Sequence, residues 1–158
     1  MEMAAVAPSP ARPTMPVDFL RREIDQGLVE VDIVEERLIV RFQGDGLFAS
    51  GSAQVKEAIV PVLQRVVRSL EDYPGGILGT GLTDNIPIRT LRFPSNWHLS
   101  QARAEAVRAI LTGVMVDPER VIAEGKSDAE PLVANDTPAN RALNRRVDIS
   151  LLSPVPPG

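Results

Sequence analysis

Apolar residues return at helical spacing in two stretches of the chain. Between residues 55 and 70, valine, isoleucine and leucine recur every three or four positions, which predicts a helix with one apolar face. Pro61 fits this helix only if the helix starts near Glu57 or Ala58, because proline has no N–H to donate in a helix interior. A second helix is predicted to run to about Leu111 from Ser95, a residue suited to cap its N-terminus.

Shorter segments show the patterns of β-strands. Residues 28–34 and 37–42 alternate between apolar and polar on either side of Glu35-Glu36, which predicts a hairpin. The apolar run 76–82 predicts a buried strand, and 120–124 predicts a further core strand.

A short helical turn at 138–143 is predicted before a last strand at 146–152. The side chains of this strand are expected to alternate, with Val147, Ile149 and Leu151 facing the core and Arg146, Asp148 and Ser150 facing water. The order of elements, β-α-β-α-β-(α)-β, predicts the α+β class: a two-layer sandwich in which helices cover one face of a small mixed β-sheet.

The chain divides into four predicted segments. Residues 1–16, rich in proline and alanine, predict a flexible linker. Residues 17–36 form an N-terminal extension of helix and strand, 37–152 form the domain, and 153–158 form a proline-rich tail. A length of 158 residues suits one domain, since domains commonly have about 100 to 150 residues.

Composition narrows the range of functions. The net charge of −4 argues against nucleic-acid binding, which needs a clustered basic surface. The chain has no cysteine and a single histidine, His98, which excludes disulfides, thiolate zinc sites and multi-histidine metal sites. We expect no cofactor. No apolar run reaches the roughly 18 residues that span a bilayer, and the first residues show no signal peptide.

Asp84 and Arg103 are the strongest candidates for binding chemistry. Asp84 follows the buried strand 76–82, and Arg103 falls in the first turns of the second helix. A carboxylate and a guanidinium held on two separate elements could bind a zwitterion such as an amino acid. The alternative is a salt bridge between Asp84 and Arg103 that only ties loop to helix.

The chain resembles the OmpA-like peptidoglycan-binding domain over residues 38–152. Four motifs carry this resemblance in the order of the family: Thr83-Asp84-Asn85, Ser95 to Ala104, Arg120 with Gly125, and the group Asn135, Thr137, Arg141 and Asn144 to Val147. Within the family, residues 46–53 and 87–97 are most similar to the periplasmic extension of the TssL proteins of type VI secretion systems. The flagellar MotB proteins are a close second.

The resemblance implies that Asp84 holds the ammonium and Arg103 the carboxylate of diaminopimelate in the peptide stem of the cell wall. Leu82 stands where the family usually has histidine, which bears on the polarity of the site. The further ligand-binding candidates are Thr83, Asn85, Leu99, Phe48, Ala49, Asn144 and Arg145. For Leu99 and Phe48 a core role is the alternative, and for Asn85 a cap within its own loop.

The function implied is a non-catalytic anchor that attaches a type VI secretion membrane complex to peptidoglycan. Its expected partners are peptidoglycan and the other membrane subunits of that complex, with a homodimer as a possible assembly. The implied location is the periplasm, on a protein anchored in the inner membrane by a segment outside this chain. The alternatives are an interaction or dimerisation domain with a degenerate pocket, or a flagellar-stator-like anchor. An enzyme would need an activated nucleophile, a metal or paired carboxylates in one cleft, and the sequence shows only scattered acids.

Overall fold

The computed structural model describes residues 20–115 and 117–152, which form a five-stranded mixed sheet with helices. The strands are β1 (Glu30–Val34), β2 (Arg37–Gln43), β3 (Ile77–Leu82), β4 (Val121–Ser127) and β5 (Arg146–Leu151). The helices are α1 (Arg21–Asp25), α2 (Gly44–Leu47), α3 (Val60–Glu71), α4 (Asn96–Thr112) and α5 (Pro138–Asn144). The predicted linker 1–16, the start of the extension at 17–19 and the tail 153–158 lie outside the described residues.

The strand order is β1-β2-β5-β3-β4, with only β3 and β4 parallel. This mixed sheet with helices confirms the predicted α+β class. The helix predicted near residue 57 begins with a 3-10 turn at Glu57–Ile59, so Pro61 falls in the first turn of α3, where it costs no hydrogen bond. α2 lies between the predicted hairpin and the first predicted helix, where the patterns above predict neither a helix nor a strand.

The core lies between the sheet and the helices α3 and α4. Its fully buried side chains come from every layer: Leu38, Val40 and Phe42 of β2, Ile149 and Leu151 of β5, Leu63, Val66 and Leu70 of α3, and Val107 and Leu111 of α4. None of the helices in the described part of the chain is long and apolar enough to cross a lipid bilayer.

Two glycines let α4 lie directly on the backbones of β3 and β4. A Cβ on Gly81 would overlap the carbonyl oxygen of Ser100, and a Cβ on Gly125 would lie 2.6 Å from the Ser100 Oγ. Side chains of α4 also hydrogen-bond the strand: Gln101 Oε1 accepts from the Gly125 N–H at 2.8 Å, and Ser100 Oγ accepts from the Ser127 N–H at 3.1 Å. The position of α4 is therefore set against backbone atoms.

The prediction that Arg146 and Asp148 face water is wrong. They lie on the sheet face opposite the core, as alternation requires, but are only 5% and 8% exposed. β5 is a central strand, and the segment after β4 covers this face: Arg146 Nη2 donates to the Glu130 carbonyl at 2.9 Å. Asp148 accepts from Arg146 Nε at 3.3 Å and from Arg41 Nε at 3.2 Å, so the buried charges are paired.

The turn between β1 and β2 is built from two residues in the left-handed region. Glu35 and Glu36 have φ values of 53° and 67°, which is the pattern of a type I′ turn and is unfavourable for side chains with a Cβ. Asn-Gly is the pair that this turn favours.

We therefore expect the double substitution Glu35→Asn/Glu36→Gly to stabilise the protein by about 1 kcal/mol, because it relieves the left-handed backbone strain. Urea unfolding measures this as a higher midpoint. The control Glu35→Gln/Glu36→Gln removes the charges and keeps the side chains, so it should not reproduce the gain. A midpoint that stays the same or falls in the Asn-Gly variant would contradict the assignment of the turn.

The close contact of α4 with β3 can be tested at Gly81. Gly81→Ala is expected to destabilise the protein by about 1 to 3 kcal/mol, because the new methyl group forces α4 away from β3. Gly79 is a matched control two residues earlier in the same strand, where a Cβ would meet its nearest atom, the Ile122 carbonyl oxygen, at 3.9 Å. Gly79→Ala should leave the free energy of unfolding nearly unchanged. Equal destabilisation by the two substitutions would show that the helix does not rest on Gly81.

Candidate functional site

A cleft of about 550 Å³ opens at the carboxyl end of β3, between the start of α4 and the loop that follows α2. This size falls within the range of small-ligand sites, about 300 to 1,000 Å³. Its charged lining residues are Asp45, Lys56, Asp84, Arg103 and Arg145. The cleft thus brings together side chains that are far apart in the sequence.

Asp84 presents its carboxylate where β3 ends, and it is only 7% exposed. The Thr83 N–H donates to the Ser127 carbonyl at 2.8 Å, which continues the pairing with β4 as far as the site. Asp84 Oδ1 accepts from the Ile86 N–H at 3.0 Å, and Oδ2 accepts from Arg145 Nη1 at 2.7 Å. Both oxygens are therefore held in place by the protein itself.

Arg103 extends its guanidinium from α4 into the same cleft and is 5% exposed. Its Nε donates to the Ser52 carbonyl at 2.8 Å, its Nη2 donates to the Ala49 carbonyl at 3.4 Å, and its guanidinium carbon lies 4.7 Å from the centre of the Phe48 ring. Burial lowers the pKa of Arg103, although an arginine stays charged in proteins.

No carboxylate among residues 20–115 and 117–152 lies within 4 Å of the Arg103 guanidinium. The alternative of a direct Asp84–Arg103 salt bridge is therefore wrong. Arg103 is a buried cation whose hydrogen bonds go to backbone carbonyls.

Arg145 lies between two carboxylates. Its Nε and Nη2 bind the two oxygens of Asp45 at 3.0 and 2.9 Å, and its Nη1 binds Asp84. The hydrogen bonds that Arg145 donates to Asp45 are the main cause that raises the pKa of Arg145, with Asp84 contributing as well. In return, the hydrogen bond from Arg145 lowers the pKa of Asp45. We call this group of Asp45, Arg145 and Asp84 the acid–arginine–acid triad. Its two carboxylates and one guanidinium give it a net charge of −1.

Asn96, the first residue of α4, holds the loop that forms one wall of the cleft. Its Oδ1 accepts from the Ile88 N–H at 3.0 Å, and its Nδ2 donates to the Ile86 carbonyl at 2.9 Å. The cap predicted for this helix is confirmed, because Ser95 Oγ accepts from the His98 N–H at 3.3 Å. The first residue of α4 thus also fixes the loop that forms this wall of the cleft.

Of the further predicted binding residues, five line the cleft with Asp84 and Arg103: Thr83, Leu99, Phe48, Ala49 and Arg145. Phe48 also belongs to the core cluster, so its two proposed roles coincide. Asn85 is exposed and lies outside the lining. Asn144 is fully buried, and its side chain binds the segment of residues 132–135. The binding role of each of these residues stays a prediction.

Leu82, which replaces the histidine usual in the family, does not line the cleft. Its side chain is 2% exposed, and strand alternation points it away from the sheet face on which Gly81 meets α4. Leu82 therefore contributes no side chain to the lining of the cleft.

Sequence reasoning missed Asp45 and Lys56. Asp45 pairs with a residue 100 positions later, and no local pattern signals such a contact. The signal available for both residues was their charge within the segment 44–56 that follows β2.

Among the described residues, no group of three or more histidine, aspartate or glutamate side chains is arranged to hold a metal ion. What the cleft offers is charged groups of both signs, which bind ligands by charge-assisted hydrogen bonds.

Comparison with known proteins identifies relatives of the whole fold. The sequence model of the OmpA family matches residues 47–145. The chain is similar to the solved structure of the cell wall anchor of the type VI secretion system (T6SS) from Pseudomonas aeruginosa, with 44% identity, a TM-score of 0.81, and coverage of 89% of this chain and 97% of that chain. A putative MotB-like protein from Desulfovibrio vulgaris is 27% identical with a TM-score of 0.72, over 85% of this chain and 84% of that chain.

Among curated proteins, Motility protein B of Bacillus subtilis (strain 168) is 32% identical over 136 residues, which is 85% of this chain and 52% of that protein. The probable lipoprotein YiaD of Escherichia coli (strain K12) is 33% identical over 117 residues, which is 73% of this chain and 52% of that protein. The chain spans about half the length of these curated relatives.

The lowered pKa of Asp45 predicts a pH-dependent contribution to stability. A carboxyl group whose pKa is lower in the folded state stabilises the fold above its ordinary pKa of 3.8, and the contribution is lost as the pH falls through the lowered value. We expect Asp45→Asn to lower the urea midpoint at neutral pH and the difference from wild type to shrink below about pH 4. The exposed Asp128, substituted by asparagine, is the control and should show no such trend. A difference for Asp45→Asn that is constant from neutral to acid pH would contradict the Arg145 pairing.

Proposed function

The chain belongs to the OmpA family, and we propose from this premise that it binds peptidoglycan without catalysing a reaction on it. In this proposal the ligand is the zwitterionic end of diaminopimelate in the stem peptide. Arg103 binds its carboxylate, and Asp84 binds its ammonium. We propose that residues 37–152 form the domain that does this, with residues 17–36 as its N-terminal extension of helix and strand.

The observation that carries the proposal is the buried Arg103 without an acidic partner in the described chain. A buried charge is costly unless it is paired, and backbone carbonyls compensate a guanidinium only in part. A ligand carboxylate in the cleft would supply the missing anion. A charge-assisted hydrogen bond of this kind contributes about 1.5 to 3 kcal/mol.

Asp84 is suited to the ammonium because its carboxylate is already oriented. Arg145 and the Ile86 N–H each occupy one of its oxygens, and a carboxylate oxygen can accept a further hydrogen bond. The acid–arginine–acid triad keeps a net charge of −1 next to Arg103. A cation site and an anion site at fixed separation select a zwitterion over a simple ion.

A type VI secretion membrane complex is the machine that we propose this domain anchors to the cell wall. The support is the higher identity to the type VI cell wall anchor, 44% over 97% of that chain, against 27% and 32% for two motility-type relatives. The proposed location is the periplasm, and the proposed further partners are the membrane subunits of that complex. A flagellar-stator-like anchor remains the alternative. The position of Leu82 outside the cleft argues against a degenerate pocket.

Cosedimentation with purified peptidoglycan sacculi tests the proposal. We expect wild-type protein to pellet with sacculi, and Asp84→Asn and Arg103→Gln each to weaken binding about 10- to 100-fold, because each removes one charged contact of about 1.5 to 3 kcal/mol. The matched controls are Arg68→Gln on the exposed side of α3 and Asp72→Asn at the exposed C-terminal cap of that helix, and both should bind like wild type.

Folding of each variant is checked by its urea midpoint, so that lost binding is separated from lost structure. Equal binding by wild type and both cleft variants would contradict the assigned roles of Asp84 and Arg103. Release of soluble fragments from the sacculi during the incubation would contradict the non-catalytic part of the proposal.

A further inference from the structure

Lys56 is a second cation in the cleft, and it forms no ion pair with an acid of the described chain. Its Nζ donates to the backbone carbonyl of Asp45 at 3.1 Å, and no described carboxylate lies within 4 Å of it. Its own backbone N–H donates to the Leu47 carbonyl at 2.8 Å, which fixes the start of the side chain beside α2. The ammonium is therefore free to meet a ligand at the rim of the cleft.

The charges that line the cleft do not balance. The acid–arginine–acid triad has a net charge of −1. Arg103 and Lys56 add two positive charges, so the charged side chains that line the cleft carry a net charge of +1. A ligand that brings one ammonium and one carboxylate leaves this charge in place. A ligand that brings one further carboxylate neutralises it.

We infer that Lys56 forms a second carboxylate subsite, so that the cleft recognises the zwitterionic end of diaminopimelate together with a neighbouring carboxylate of the same peptide. This inference rests on the proposed function. Two carboxylates flank diaminopimelate in a stem peptide: the α-carboxylate of the preceding γ-linked glutamate and the main-chain carboxylate of diaminopimelate itself when it ends the peptide. Both have the chemistry that Lys56 requires.

The side chain of Lys56 suits this task in a different way from that of Arg103. Arg103 is buried and its Nε and Nη2 hydrogen bonds fix its orientation, whereas Lys56 is exposed and its ammonium sits on a flexible stem. An exposed ion pair is screened by water and salt, so its contribution is smaller than that of Arg103. Lys56 is therefore expected to adjust affinity and selectivity, with Asp84 and Arg103 as the main contacts.

Calorimetric titration with three synthetic tripeptides tests the subsite. The parent is L-alanyl-γ-D-glutamyl-meso-diaminopimelate, the second peptide is amidated at the glutamate α-carboxyl, and the third is amidated at the main-chain carboxyl of diaminopimelate. The proteins are wild type, Lys56→Gln and Lys126→Gln. Lys126 is the matched control because it is the one other lysine of the chain, pairs with Glu130 at 2.9 Å and lies outside the cleft.

For wild type and Lys126→Gln we expect the parent peptide to bind about three- to tenfold tighter than one of the two amides, with the gap narrowing at high salt. For Lys56→Gln we expect that gap to disappear. The amide that binds more weakly to wild type identifies which carboxylate Lys56 meets.

Equal affinity of wild type for all three peptides, or a gap that survives in Lys56→Gln, would overturn the subsite. If in that case the peptides still bind and Arg103→Gln weakens binding about 10- to 100-fold, the proposed function stands without the subsite. If wild type binds none of the peptides, the proposed function and the subsite both fail.

Discussion

The contact of α4 with the backbones of β3 and β4 is the constraint on which the site depends. Gly81 and Gly125 leave no Cβ between helix and sheet, and hydrogen bonds from Ser100 and Gln101 fix the helix along its axis. Arg103 lies less than one helical turn beyond these residues, and Asp84 follows the end of β3. The separation between the guanidinium and the carboxylate is therefore set by backbone packing, which is harder to deform than contacts between flexible side chains.

The arginines of the cleft differ in their ion pairing: Arg145 has carboxylate partners, and Arg103 has none among the described residues. Arg145 forms ion pairs with Asp45 and Asp84. These ion pairs orient both carboxylates and connect α2 to the end of β3. Arg103 is buried, and its hydrogen bonds go to backbone carbonyls beside the Phe48 ring, with no carboxylate of the described residues within ion-pair distance. A protein selected for stability alone would pair or remove such a charge. A buried cation without an acid partner is understandable as a binding group whose counterion belongs to the ligand.

Local features of the sequence predicted local structure well, whereas contacts between distant segments escaped prediction. The cap at Ser95 and the hairpin around Glu35-Glu36 follow from neighbouring residues and are confirmed. The alternation of apolar and polar residues predicted correctly which side chains of β5 face the core. It did not predict the burial of Arg146, because that depends on the distant segment around Glu130, whose backbone accepts a hydrogen bond from Arg146. Asp84 and Arg103 could be chosen from their elements and the family resemblance. Asp45 could not, because its partner lies 100 residues away.

The central claim is that Arg103 binds a ligand carboxylate. The most direct measurement compares the affinity of wild type for the stem tripeptide containing diaminopimelate with its affinity for the same tripeptide containing lysine, which lacks only the carboxylate assigned to Arg103. The account predicts that the diaminopimelate peptide binds at least about tenfold tighter, and that Arg103→Gln reduces this ratio to about one. Equal binding of the two peptides by wild type would contradict it.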